Sequence, residues 1–175
     1  MEEYFKIFDP QIPSIIYQLT FVIFCLFTTT LFIVKKDLQT TKKWVLIALV
    51  VIYAFLTLCS TVFCRKIGTE YKLLLIPFWN YNDIIHGDTA ILAEKLLNIA
   101  LFIPLGFLLG GILGKDKFWQ VVLMGCLFSV SIELLQLFLK RGFCEVDDVI
   151  HNTLGTMVGY GVWRGVEKIA EKGKI

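Results

Sequence analysis

The sequence predicts an all-α fold: a polytopic membrane helix bundle of about five transmembrane helices. Composition is the first reason. Hydrophobic residues make up 57% of the 175-residue chain and charged residues 18%, below the roughly 25% charge of soluble domains. Patterning is the second, because the apolar residues gather into long runs that exclude charge. The bilayer interior is about 30 Å thick, and a helix rising about 1.5 Å per residue crosses it in roughly 17–25 residues. Net charge is +2 and no basic stripe is visible, which argues against a nucleic-acid partner. A chain of this length is expected to form one membrane domain, residues 1–175.

Each helix follows from a run. Residues 10–34 carry no charge and predict a helix over about 14–34. The preceding "MEEYFKIFDP" is acidic and lacks a basic n-region, so this helix reads as a permanent anchor rather than a signal peptide. Residues 44–64 are uncharged and predict the second helix. Residues 96–114 predict the third, over about 93–114, and residues 118–139, charged only at Glu133, predict the fourth. The last uncharged run, 149–163, is too short to span. Extended to about 145–164 it suffices, but the extension draws Glu145, Asp147 and Asp148 to the membrane edge.

With five helices the loops alternate sides. One side collects ten Lys and Arg residues and the other seven, and the bias is clearest in "VKKDLQTTKK" and in the C-terminal tail. The excess marks the cytoplasmic side, so the N-terminus is expected outside and the C-terminus inside. The longer loop between helices 2 and 3 is then extracellular. It contains "LLLIPFWNY" (73–81), too short to span as a helix. Its Pro77, Phe78, Trp79 and Tyr81 suit an interfacial or re-entrant segment, or a lid over a site.

On this topology the intramembrane polar residues fall at one level. Glu94 and Asn98 open the third helix, Glu133 and Gln136 close the fourth, and Asp147, Asp148, His151 and Asn152 open the fifth. Gly125, Ser129, Glu133 and Gln136 share one stripe, and Asp148, Asn152, Gly155 and Gly159 another. Small residues at such spacing let membrane helices approach closely, and ionisable residues there face a bundle interior and pair. Arg141, Arg65 and Lys140 are the expected cationic partners. The plainer reading is a structural cluster, with Asp148 favouring the helix dipole.

Asp147 and His151 stand four apart and Glu133 can join them, but one histidine and carboxylates are too incomplete a ligand set to predict a metal. No metal and no cofactor are expected. His86 reads as a solvated loop residue, and Ser129 and Ser131 as hydroxyls bonding back to their own helix. Cys64 and Cys144 fall near the same surface and can pair only if the geometry allows.

"NIALFIPLGFLLG" (98–110), "SIELLQLF" (131–138) and "RGFCEVDDVIHNTLGTMVGY" (141–160) resemble the VanZ family of bacterial membrane proteins, and "LLLIPF" (73–78) resembles its loop block. The resemblance covers about 65–162. It implies as site residues Arg65, Asn98, Glu133, Gln136, Arg141, Asp147, Asp148 and Asn152. Cys144 and Glu145, in the "GFCE" that precedes the acidic pair, depart from the family pattern. The family takes its name from a protein that lowers sensitivity to the glycopeptide teicoplanin, which acts outside the cell on lipid-anchored wall precursors. The resemblance therefore implies a plasma-membrane protein with a cell-envelope role. A membrane lipid or lipid-linked wall precursor is the implied partner, held at an outward-facing polar pocket. Two alternatives stand beside binding: an enzyme modifying such a lipid, with Glu133 or Asp148 as general base, and a structural or partner-binding membrane protein.

Overall fold

The computed structural model describes residues 38–173. The helix predicted over 14–34 lies outside them. The chain divides into two compact units, Met1–Lys66 and Ile67–Ile175.

In the first unit, α1 (Leu38–Leu58) continues into a five-residue π-helical turn, Cys59–Phe63. Thr40–Phe63, 24 residues, is long and apolar enough to cross a membrane, close to the 44–64 expected. Its hydroxyls are satisfied locally: Ser60 Oγ and Thr61 Oγ1 both donate to the Thr57 carbonyl, at 2.9 and 2.7 Å. Side chains that crowd one carbonyl often bend a helix, and here the widened turn follows at once.

The second unit runs β1 (Lys72–Leu74), α2 (Tyr81–Ile85), α3 (Thr89–Leu113), α4 (Phe118–Phe138), β2 (Phe143–Glu145) and α5 (Val146–Lys172). Asp88 starts α3 by accepting from the Ala90 and Ile91 amides, at 2.9 and 3.3 Å, which satisfies donors that a helix start leaves open. Helices α3 and α4, 25 and 21 residues long, are long and apolar enough to cross a membrane. Among the described residues three helices therefore qualify. Helix α5 does not, because His151, Asn152, its threonines and its glycines leave even the stretch between its charged ends too weakly apolar. It begins where expected but continues to Lys172 instead of ending near 164. The tail "RGVEKIAEK" is mostly good helix formers, and Arg164 pairs with Glu167 one turn on.

Glycines set how closely these helices pack. A side chain at Gly155 would overlap the Ile99 carbonyl, and one at Gly159 the Ile103 carbonyl, so α5 lies backbone to backbone on α3. Contacts advance together along both chains, and α3 and α5 run parallel. Helix α4 runs the other way: Gly125 faces Thr156, Ser129 bonds Asn152 and Glu133 bonds Glu145. Thr156 is fully buried where Gly106 and Gly125 leave room for it.

The amphipathicity of α5 is inverted. Asp147, His151, Asn152, Gly155, Thr156 and Gly159 face inward, while Leu154, Val158, Val162 and Val166 are exposed. On α4, Ser129, Glu133 and Gln136 are buried and Leu123, Leu127, Leu134 and Phe138 exposed. A helix in water hides its apolar stripe. A helix in lipid turns that stripe outward and its polar groups inward.

To the expected helices the structure adds a two-stranded parallel sheet. Lys72 pairs with Phe143, Leu73 with Cys144 and Leu74 with Glu145. Three-residue strands are too short to show an alternating pattern in sequence. The chain reaches β2 through a tight helix stop. Lys140 is left-handed (φ 53°), its amide donates to Leu137 O and the Arg141 amide to Gln136 O. This is the Schellman arrangement, with lysine where glycine is usual.

Candidate functional site

The start of α3, the end of α4 and the start of α5 meet at one end of the second unit. Their polar side chains interlock there.

At the centre is Lys95. Its side chain is 3% exposed, and its Nζ donates to Glu145 Oε2 at 3.2 Å and Asp148 Oδ1 at 3.0 Å. Glu94 completes an acidic trio with Glu145 and Asp148, one oxygen of each lying within 4.8 Å of the others. An ammonium out of water needs such partners, because desolvation costs several kcal/mol per ion in typical cases. Burial pushes the Glu145 carboxyl above its ordinary range, and the Asp148 carboxylate adds to the rise while Lys95 opposes it. Burial, with Glu133, Asp148 and Glu145 nearby, likewise pushes the Cys144 thiol up. Cys144 and Cys64 are both free thiols.

The remaining acids hold the backbone. Glu133, buried on α4, accepts from the Glu145 amide at 2.9 Å. It thereby satisfies the residue that opens α5, where negative charge suits the dipole. Asp147, 1% exposed, accepts from the Phe78 amide at 2.7 Å. Phe78 is itself left-handed, φ 59°, a conformation that costs a bulky residue about 1–2 kcal/mol. Tyr81 OH lies 2.7 Å from His151 Nε2, and His151 Nδ1 lies 2.5 Å from the Asp147 carbonyl. Since that carbonyl only accepts, Nδ1 carries a hydrogen, and in the neutral ring Nε2 is then the acceptor for the tyrosine hydroxyl. Segment 73–81 is thus fastened to the head of α5 at Phe78 and Tyr81.

The sequence-predicted residues divide as follows. Glu133, Gln136, Asp147 and Asn152 are buried, and Asp148 is half-buried against Lys95. Asn152 Nδ2 donates to Ser129 Oγ at 2.8 Å, so Ser129 serves another helix rather than its own. Asn98 lies on α3 one turn beyond Lys95. Asn98 Nδ2, Asp147 Oδ2 and Asn152 Oδ1 are buried polar atoms without a hydrogen-bond partner among the described residues. Arg141 is half-buried in the turn after α4. Arg65 belongs to the first unit, following the π-helical turn.

One expectation is corrected. The ammonium set between the carboxylates is that of Lys95, not Lys140, which lies over the Tyr71 ring at 4.5 Å. In the sequence Lys95 stands in the first turn of the predicted third helix, just before its charge-free run. The signal for its role was its spacing, three residues before Asn98 and so on the same helical face. The acidic residues that gather are Glu94, Glu145 and Asp148, while both ring nitrogens of His151 are engaged by Tyr81 and the Asp147 carbonyl. His86 is exposed, its Nδ1 2.7 Å from the Asn82 carbonyl. Both candidate bases, Glu133 and Asp148, already accept hydrogen bonds from protein donors.

The VanZ/LLP1 family profile matches residues 15–168. The chain belongs to the VanZ/LLP1 family. The match covers the whole of the polar cluster and extends beyond the 65–162 of the motif resemblance, into the segment where the first helix is predicted. Family membership and three apolar helices make this VanZ-family chain a membrane protein. No curated protein and no solved structure matches it.

Proposed function

We propose that this VanZ-family protein binds the polar head of a membrane lipid or lipid-linked wall precursor at the cluster around Lys95. By binding or shielding it, the protein lowers sensitivity to teicoplanin-type lipoglycopeptides. One observation carries the reading: Asn98 Nδ2, Asp147 Oδ2 and Asn152 Oδ1 are buried among apolar helices with no partner among the described residues. Buried polar atoms are nearly always satisfied, and hydroxyl and amide groups of a headgroup would satisfy these. The cluster interior is rich in carboxylate, so a phosphate on the same head belongs at its edge, near Arg141, whose guanidinium suits bidentate contact.

In this reading the protein sits in the bacterial plasma membrane as a multi-pass chain, N-terminus outside and C-terminus inside, with the cluster opening outward. Reporters at Met1 and after Ile175 in intact cells test it. Labelling of both from one side would overturn the five-helix topology.

The functional test is Asp148→Asn, which removes charge while keeping shape and leaving Lys95 its contact with Glu145. Protection against a lipoglycopeptide should fall at matched membrane protein levels. Glu171→Gln, near the end of α5, should change nothing. Undiminished protection by Asp148→Asn would return the cluster to a structural role.

A further inference from the structure

Residues 67–85, from the approach to β1 through α2, expose an unusual amount of apolar surface. Ile67, Tyr71, Leu73, Leu75, Ile76, Phe78, Trp79 and Ile85 are all exposed, Ile76 at 73% and Ile85 at 81%. A mobile loop would be free to fold such residues away, but this one is tethered. The ladder to β2 holds its start, Gly68 N donates to Lys140 O at 2.6 Å, and Asp147 and His151 hold its end. Those tethers also fix its level. β2 follows closely on the end of α4 at Phe138, and α3 begins at Thr89 just after α2. The segment therefore lies at the rim of two helices apolar enough to cross a membrane. Their own exposed residues at that end, Leu92 and Leu96 on α3 with Leu134 and Phe138 on α4, continue the apolar surface toward it.

Charge complements this surface. Lys72 is exposed and Lys140 half-buried, its Nζ 3.4 Å from the Thr69 carbonyl. Lys72 Nζ stands 4.6 Å above the Phe143 ring and Lys140 Nζ 4.5 Å above the Tyr71 ring. Neither makes an ion pair among the described residues. Aromatic rings settle at headgroup depth, and lysine stems there reach toward anionic headgroups.

We infer that residues 67–85 form a membrane-interface platform that seats an anionic phospholipid, with Lys72 and Lys140 holding its phosphate and the exposed side chains of the segment lying in the headgroup layer. This seat is separate from the cluster around Lys95 and does not rest on the function proposed for it.

Two measurements on the full chain, reconstituted in phosphatidylcholine vesicles with and without phosphatidylglycerol, test the inference. With Trp44, Trp119 and Trp163 changed to Phe, Trp79 should be quenched by lipids labelled near the headgroup and shielded from aqueous iodide. Spin-labelled phosphatidylglycerol should be preferred over its phosphatidylcholine counterpart. Lys72→Gln with Lys140→Gln should weaken that preference by about fivefold per lysine, while Lys72→Arg with Lys140→Arg should retain it. Quenching of Trp79 by iodide but not by lipid would overturn the platform. Lipid quenching with an unchanged preference in the glutamine variant would overturn the anionic seat.

Discussion

Lys95→Met is expected to destabilise the protein by about 3–5 kcal/mol, the range for removing one partner of a buried ion pair. The methionine fills similar volume, so packing changes little. What changes is charge: Glu145 and Asp148 are left facing each other, with Glu94 beside them and the ammonium gone. Thermal unfolding of purified protein in nanodiscs reads the loss. Adding Glu145→Gln and Asp148→Asn to Lys95→Met should recover most of it, because a neutral, hydrogen-bonding cluster carries no uncompensated charge. Wild-type stability in the single variant would show that the ammonium does not hold α3 to α5. Failure of the triple variant to recover would show that the loss is not electrostatic.

Gly159→Ala is expected to cost at least the upper end of the about 1–3 kcal/mol typical of overpacking. An added methyl at this position meets the Ile103 carbonyl and the Phe107 amide. Backbone atoms cannot change rotamer to relieve the overlap, so α3 and α5 must separate along their whole contact. Gly155→Ala should behave alike, since its methyl meets the Ile99 carbonyl. Gly161 and Gly165 stand on the same helix, and among the described residues a methyl at either would meet no neighbouring atom within 4 Å. Alanine there should be neutral or stabilising by up to about 1 kcal/mol, through helix propensity alone. Unfolding in denaturing detergent compares the four variants. Equal effects at Gly159 and Gly161 would remove the close-packing explanation.

The long helices among the described residues were legible in the sequence, because their signals are local. A charge-free run of some twenty residues is informative without knowing its neighbours, and α1, α3 and α4 lie close to where their runs place them. The buried faces of α4 and α5 were legible for the same reason. Small and polar residues recur at helical spacing, and Ser129, Glu133, Gln136, Asn152 and Gly155 are all buried. Tertiary structure alone decided the pairings. Lys95 precedes Glu145 by fifty positions; its spacing from Asn98 marks the face it shares, but nothing in either neighbourhood says which carboxylates it meets. The β1–β2 ladder joins three-residue segments that show no period, and the Phe78 and Tyr81 contacts with α5 bridge 69 and 70 positions. A periodic pattern reports which face of an element avoids its surroundings. Which cation answers which carboxylate depends on the approach of two helices, and here the glycines of α5 set that approach.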